Sequence, residues 1–219
     1  MNQLKLSLFY NQNSDDEDED EDDDAPDQKE TDNNLLLAKM LKTRKIIISG
    51  EINKTLAEKV IRQLLLLDGM DKKPIQIFID SPGGDAHAGY AIFDMIRFIE
   101  SPVWTIGMGL VASAAAIIQL ASPRERRIGL PNSNYLIHQP LSGIRGVASD
   151  IEIHAKELDK LRLKINKLIS DETGQPYEQV EKDTDRDYWM SAEEAVKYGL
   201  INKLIVKAVE LLPDTLNND

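Results

Sequence analysis

The sequence predicts an α/β fold, and three observations carry that expectation. Short runs rich in Ile and Val are bounded by Gly, Pro or Asp. Between them lie stretches whose apolar residues recur at helical spacing. The two patterns alternate along the chain, as they do where strands and helices are joined by right-handed crossovers.

Asn33 or Asn34 can cap a helix running through Leu41, and Lys45–Ser49 (KIIIS) reads as a buried strand. Asn53–Leu67 is amphipathic, with Leu56, Val60, Ile61, Leu64 and Leu65 on one face. Ile75–Asp80 is a second strand that runs into Ser81-Pro82-Gly83-Gly84, and Asp85–Glu100 is a helix with Ile92, Met95, Ile96 and Ile99 inward. A third strand, Val103–Gly107, precedes a small-residue helix over Ser113–Ala121, and Tyr135–His138 forms a further strand. Ser149–Glu172 is a long helix of mixed charge. Ser191-Ala-Glu-Glu194 is a capping box that opens a short helix, and Leu200–Val206 is the last strand. No internal repeat is present.

The 219 residues carry a formal charge of −12, and nearly all of it sits at one end. Residues 1–34 hold 13 acidic groups against two lysines, and the remainder is almost neutral. Asp15–Asp24 is an unbroken acidic run with no apolar surface to repay ordering, so it is expected to be disordered. Ahead of it, Leu4, Leu6 and Leu8 alternate with polar residues over Gln3–Phe9, the pattern of a short strand. The organisation expected is an acidic N-terminal segment at 1–34, one folded domain at 35–208 and a tail at 209–219.

A neutral body lacks the basic footprint that binding nucleic acid requires. Cysteine is absent, which removes disulfides, thiol nucleophiles and thiolate metal sites, and three histidines make a histidine-based zinc site unpromising. No metal and no cofactor are expected. The apolar run at Leu110–Ala121 is too short to cross a bilayer, and Met1–Gln12 lacks the apolar core of a secretory signal. The expectation is a soluble, cytoplasmic protein without membrane attachment.

Ser81-Pro82-Gly83-Gly84 joins a strand to a helix. Proline fixes one φ and the glycines permit unusual ones, so backbone N–H groups there can turn towards an anion; the plainer reading is an ordinary turn. Ser113 carries the only polar side chain in a long run of small apolar residues, as either a simple helix cap or a nucleophile. It lies outside a G-x-S-x-G elbow, since Val111 and Ala115 occupy the glycine positions. His138 ends an apolar strand, where it is either a hydrogen-bonded structural group or a base. Asp183, Asp185 and Asp187 are all available to orient it.

Taken together, these residues resemble the Clp protease proteolytic subunit (ClpP) family of serine peptidases. The resemblance runs from about Leu35 to Val206. It rests on Ser-Pro-Gly-Gly at 81–84, Met-Gly-x-x-Ala-Ser at 108–113, Leu-Pro-Asn-Ser at 130–133 and Ile-His-Gln-Pro at 137–140. Asp-Ile-Glu-Ile-His-Ala at 150–155, Thr-Asp-Arg-Asp at 184–187 and Ser-Ala-Glu-Glu-Ala-Val-x-Tyr-Gly-Leu-Ile at 191–201 continue it in the same order.

The resemblance implies a crotonase-like fold of repeated β-β-α and β-α-β units with a long handle helix, here Ser149–Glu172. It also implies an adjoining substrate-pairing strand at Leu141–Ala148. It makes Ser113 the nucleophile, His138 the base and Asp187 the orienting group. The backbone N–H groups of Gly84 and Ala114 become the oxyanion hole. It further implies two stacked seven-membered rings, with Arg186 at the ring–ring interface and Phe78 and Phe98 in docking clefts for an AAA+ unfoldase. That partner would hydrolyse ATP and deliver unfolded protein substrates.

Three features depart from the family pattern: the bulky Leu110-Val111 pair, Ala114 where Met is common, and the acidic N-terminus. They admit a paralogue working in mixed rings, with either a catalytic or a structural part. A crotonase-type acyl-CoA hydratase is the remaining alternative, and it would not need the Ser, His and Asp set. Within a ring, Asp15–Asp24 would gather at the axial entrance, either as a solvated tail or as an electrostatic gate against acidic substrates.

Overall fold

Lys45–Ser49 alternates exposed and buried side chains, so Ile46 and Ile48 enter the core while Lys45, Ile47 and Ser49 face outward. This strand, β1, opens the sheet in a computed structural model that describes Leu36 and residues 39–211. Helical backbone is present at Leu36 and over 39–42. The caps at Asn33 and Asn34, the strand over Gln3–Phe9, the acidic run Asp15–Asp24 and residues 212–219 lie outside the described residues.

After β1, Asn53 caps α1 (Lys54–Met70), its side chain accepting from the Leu56 N–H at 2.9 Å. Strand β2 (Ile75–Ser81) follows, then α2 (Ala86–Phe98), which Asp85 caps by accepting from the Ala88 N–H at 2.6 Å. Strand β3 (Val103–Ala112) is the hub of the sheet. It lies parallel to β2 along one edge, and on its other edge pairs first with β4 (Arg127–Gly129) and then with β5 (Asn134–Ile137). Short α3 (Ala114–Gln119) separates β3 from β4.

The long helix α4 (Ala148–Thr173) ends at Gly174. Helix α5 (Tyr177–Thr184), strand β6 (Tyr188–Ser191), helix α6 (Ala192–Tyr198) and strand β7 (Lys203–Leu204) complete the domain. All strand pairs are parallel except β5 with β6. The main core collects Ile46, Ile48, Ile77 and Ile79 from the sheet with Leu64 and Ile92 from the helices. A second apolar cluster of Ile106, Ile128, Ile205 and Leu211 gathers Phe78, Trp104 and Leu130 around it.

Several boundaries differ from the sequence expectation. Strand β3 continues five residues past Gly107, because hydrogen-bonded neighbours on both edges override the usual strand-breaking effect of glycine. Gly107 is required there, since a Cβ would stand 2.4 Å from the Tyr135 hydroxyl. The strand expected at Leu200–Val206 contracts to Lys203–Leu204; Leu200 and Ile201 fill the core directly after the Gly199 helix cap. Leu141–Ala148 contains no strand, because its backbone finds no ladder partner among the described residues. Strand β6 and helix α5 were not anticipated, since the charges of Asp183–Asp187 mask the short aromatic strand behind them.

Candidate active site

Ser113 stands at the corner between β3 and α3 with φ 57° and ψ −121°. A positive φ on a non-glycine residue costs about 1–3 kcal/mol and marks a place where the surrounding structure imposes the backbone. The sheet does so here: the Ser113 N–H donates to the Leu136 carbonyl at 2.9 Å, extending the β3–β5 ladder into the turn. The side chain makes no capping bond. The plain helix-cap reading is therefore removed, and the hydroxyl is left directed by strain rather than by a local partner.

The Ser81–Gly84 turn packs directly on this corner. A Cβ on Gly83 would lie 2.6 Å from the Ala112 carbonyl oxygen and 2.6 Å from Ser113 Cβ; one on Gly84 would lie 2.2 Å from the Ile52 carbonyl oxygen. Both positions also have positive φ, 93° and 145°. Only glycine allows the turn to wedge between the β1–α1 loop and the serine corner. The Ile52 N–H donates to the Gly83 carbonyl and the Asp85 N–H to the Ile52 carbonyl. Among the described residues, the N–H groups of Gly84 and Ala114 meet no backbone acceptor, so two donors flank Ser113 unspent.

His138 and Asp187 are brought together by register. In the antiparallel β5–β6 ladder Asn134 faces Ser191, Tyr135 faces Met190, Leu136 faces Trp189 and Ile137 faces Tyr188. One step further along both strands, His138 comes opposite Asp187, and His138 Nδ1 lies 3.4 Å from Asp187 Oδ1. Asp183 and Asp185 are engaged elsewhere. The Asp183 carboxylate accepts from Gln179 Nε2 and from the Tyr198 hydroxyl, while Asp185 Oδ1 lies 3.4 Å from Gln139 Nε2, which also donates to the Asp185 backbone carbonyl at 2.6 Å.

Ser113, His138 and Asp187 line one cavity of about 710 Å³, together with Gly84 and Ala114. Its apolar wall comes from Ile117 of α3 and from Leu158, Leu161, Ile165 and Ile169 of α4. His87, Ser142, His154 and Glu157 add polar groups. The sequence offers Ser142 only within the segment Leu141–Ala148 and His154 only within the 150–155 block, and gives His87 and Glu157 no role. The α4 contributors at 154, 157, 158, 161 and 165 follow helical spacing, so the face was legible as a stripe although not as a cavity wall. Ser142 Oγ lies 2.7 Å from His154 Nε2, tying the segment before α4 to the helix.

Ser113 Oγ makes no hydrogen bond among the described residues, to His138 or to any other group. Catalytic hydrogen bonds are commonly long without substrate and tighten when it binds. Arg186 is exposed and makes no ion pair or hydrogen bond within the chain among the described residues. Phe98 is 78% exposed at the end of α2, whereas Phe78 is partly buried beside Trp104. Among the described residues no three His, Asp or Glu side chains are grouped as a metal site requires, and no helix is long and apolar enough to cross a membrane.

Comparison with known proteins agrees with the geometry. A family model for Clp protease matches residues 28–208. The ATP-dependent Clp protease proteolytic subunit 2 of Treponema denticola is 66% identical over 177 residues, covering 80% of this chain and 88% of that protein. Its counterpart in Treponema pallidum is 56% identical, with 83% and 92% covered. A mutant ClpP1 from Listeria monocytogenes, of known structure, superposes with a TM-score of 0.76 at 48% identity, covering 81% of this chain and 99% of that one. The crotonase-like α/β architecture follows from that superposition, and an acyl-CoA hydratase is set aside. A strained serine corner, a histidine–aspartate pair and two free backbone donors around one cavity thus lie in a chain that belongs to the Clp protease family, as a serine-type proteolytic subunit.

Proposed function

We propose that Ser113 is the nucleophile of this peptidase, His138 its general base and Asp187 the carboxylate that orients His138. The observation that carries this assignment is the β5–β6 register, which sets Asp187 against His138 in the cavity that Ser113 also lines. Asp187 holds His138 through Nδ1, leaving Nε2 for the Ser113 hydroxyl proton as Oγ attacks the peptide carbonyl. The N–H groups of Gly84 and Ala114 receive the oxyanion. His138 then returns the proton to the leaving amine, and water hydrolyses the acyl-enzyme by the same sequence.

The peptidase domain spans residues 35–208, between the acidic N-terminal segment and a short tail, and works in the cytoplasm without a cofactor of its own. It assembles as two stacked heptamers. Arg186, exposed and without a partner among the described residues, supports a bond across the ring–ring interface, and the exposed Ile151 and Ile153 on the first turns of α4 support an apolar contact there. An AAA+ unfoldase docks on a surface that includes Phe98 and the edge of Phe78, consumes ATP and feeds in unfolded protein. Relatives named as subunit 2 and subunit 3 support a companion paralogue in mixed rings.

A fluorophosphonate probe should label the assembled protein at Ser113, and Ser113→Ala should abolish labelling while lowering peptide hydrolysis by about 10⁴–10⁶-fold. Absence of labelling in a confirmed tetradecamer, alone and with any paralogue, would overturn the assignment.

A further inference from the structure

Among the described residues, the 3.4 Å contact to His138 is the only polar contact of the Asp187 carboxylate, whose side chain is 62% exposed. Neither burial nor a second hydrogen bond fixes this carboxylate. Its placement therefore depends on the backbone that carries it, the Thr184–Asp187 segment between α5 and β6.

That segment is bonded twice to Gln139, on one side of the pair. The N–H of Gln139, the residue after His138, donates to the Thr184 carbonyl at 2.6 Å. The Gln139 side chain donates to the Asp185 carbonyl at 2.6 Å. Both bonds run from Gln139 to the aspartate segment, two residues beyond the last ladder pair and one beyond His138.

Thr184 is in turn anchored to α4. It is 1% exposed, as is Asn166, which faces it from the handle helix. Thr184 Oγ1 lies 2.8 Å from the Asn166 amide and 2.9 Å from the Val180 carbonyl. The hydroxyl proton is shared between Asn166 Oδ1 and the Val180 carbonyl, and Asn166 Nδ2 is buried with no partner among the described residues. Two fully buried polar side chains in an apolar core cost stability unless each satisfies the other. Apolar residues would fill the same space with no such demand, and they would leave Thr184 free to slide.

We propose that Thr184, held by Asn166 of α4, is a positioning residue for peptide hydrolysis. It sets the His138–Asp187 pair through the bond of its carbonyl with the Gln139 N–H. The inference rests on the triad assignment above and extends it to the handle helix: movement of α4 near Asn166 reaches the base through two hydrogen bonds.

The test uses the assembled full-length protein, a fluorogenic peptide, and rates expressed per site titrated to completion with fluorophosphonate. Thr184→Val keeps shape and removes the hydroxyl; kcat should fall about 10–100-fold with KM within about twofold, as expected for a sub-ångström misplacement of a base. Asn166→Leu should give the same split, and Thr184→Ser should restore most of the rate. Gln139→Met, at the partly exposed end of the network, should cost less, about 3–10-fold in kcat. If Thr184→Val fails to assemble, Asn166→Leu and Gln139→Met decide by the same criterion. An unchanged kcat per titrated site in these variants, with Ser113→Ala inactive, overturns the positioning role and leaves the triad standing. Activity retained by Ser113→Ala would instead remove the triad assignment itself.

Discussion

Along α4 the two halves of one helix meet different surroundings. From Leu161 onward the helix buries Ile165, Asn166, Ile169 and Thr173. Its last turn is pinned by Glu172, which pairs with buried Arg127 and with Arg97 at 2.5 Å. Arg97 also donates to the Ala121 carbonyl, and Lys164 lies 3.9 Å from the centre of the Tyr90 ring. The first half makes no such commitment. Ile151 and Ile153 are exposed, and its ion pairs, Lys156 with Glu152 and Lys160 with Glu157, join neighbours on the same helix. Those apolar side chains stay exposed in the single chain, in keeping with the ring contact proposed above, while the second half belongs to the subunit core.

The sharpest way to break this comparison is at the base. Glu172→Gln strips the countercharge from an arginine that is 1% exposed, and should cost about 3–5 kcal/mol in urea unfolding at fixed protein concentration. Ile169→Ala opens a cavity in the same half and should cost about 2–5 kcal/mol by the same measurement. Ile153→Ser, in the exposed half, should leave subunit unfolding within about 0.5 kcal/mol of wild type. Native mass spectrometry should nevertheless show separation into single rings. Equal destabilisation by Ile169→Ala and Ile153→Ser would erase the distinction.

The smallest effect lies in the body away from α4. Hydrogen bonding from Lys72, and then from Ser101, holds the Asp68 carboxyl down at about 2 against the opposing effect of burial. A carboxylate lowered in the folded state stabilises it above the ordinary value of 3.8, and the contribution drains away as pH falls towards 2. Asp68→Asn should therefore flatten the acid limb of the stability curve between those values. An unchanged limb would mean that other carboxylates govern it.

Much of the candidate site was legible in the sequence because local chemistry is written locally. The Pro-Gly-Gly turn, the lone serine in a small apolar run and the histidine at a strand end each announce unusual backbone or an isolated polar group. Strands β1 and β2, helices α1, α2 and α4, and the capping box at Ser191 follow from periodicity and caps acting within a few residues. Residue patterns by themselves left Asp183, Asp185 and Asp187 equivalent, and only resemblance to a family preferred the last.

Tertiary structure decided what depends on pairing. Register is a relation between two strands, so the contact of His138 with Asp187 existed in no single segment, and β6, which creates it, was hidden behind a charged turn. The positive φ of Ser113 comes from its bond to Leu136 and from the Gly83–Gly84 wedge beside it. The buried Asn166–Thr184 pair joins a helix residue to one 18 positions later. By itself the sequence determined which chemical groups were available and where the backbone had to turn, since those follow from side-chain chemistry and local sterics. The fold alone decided which groups meet, because contacts between distant residues follow from how the sheet and α4 pack.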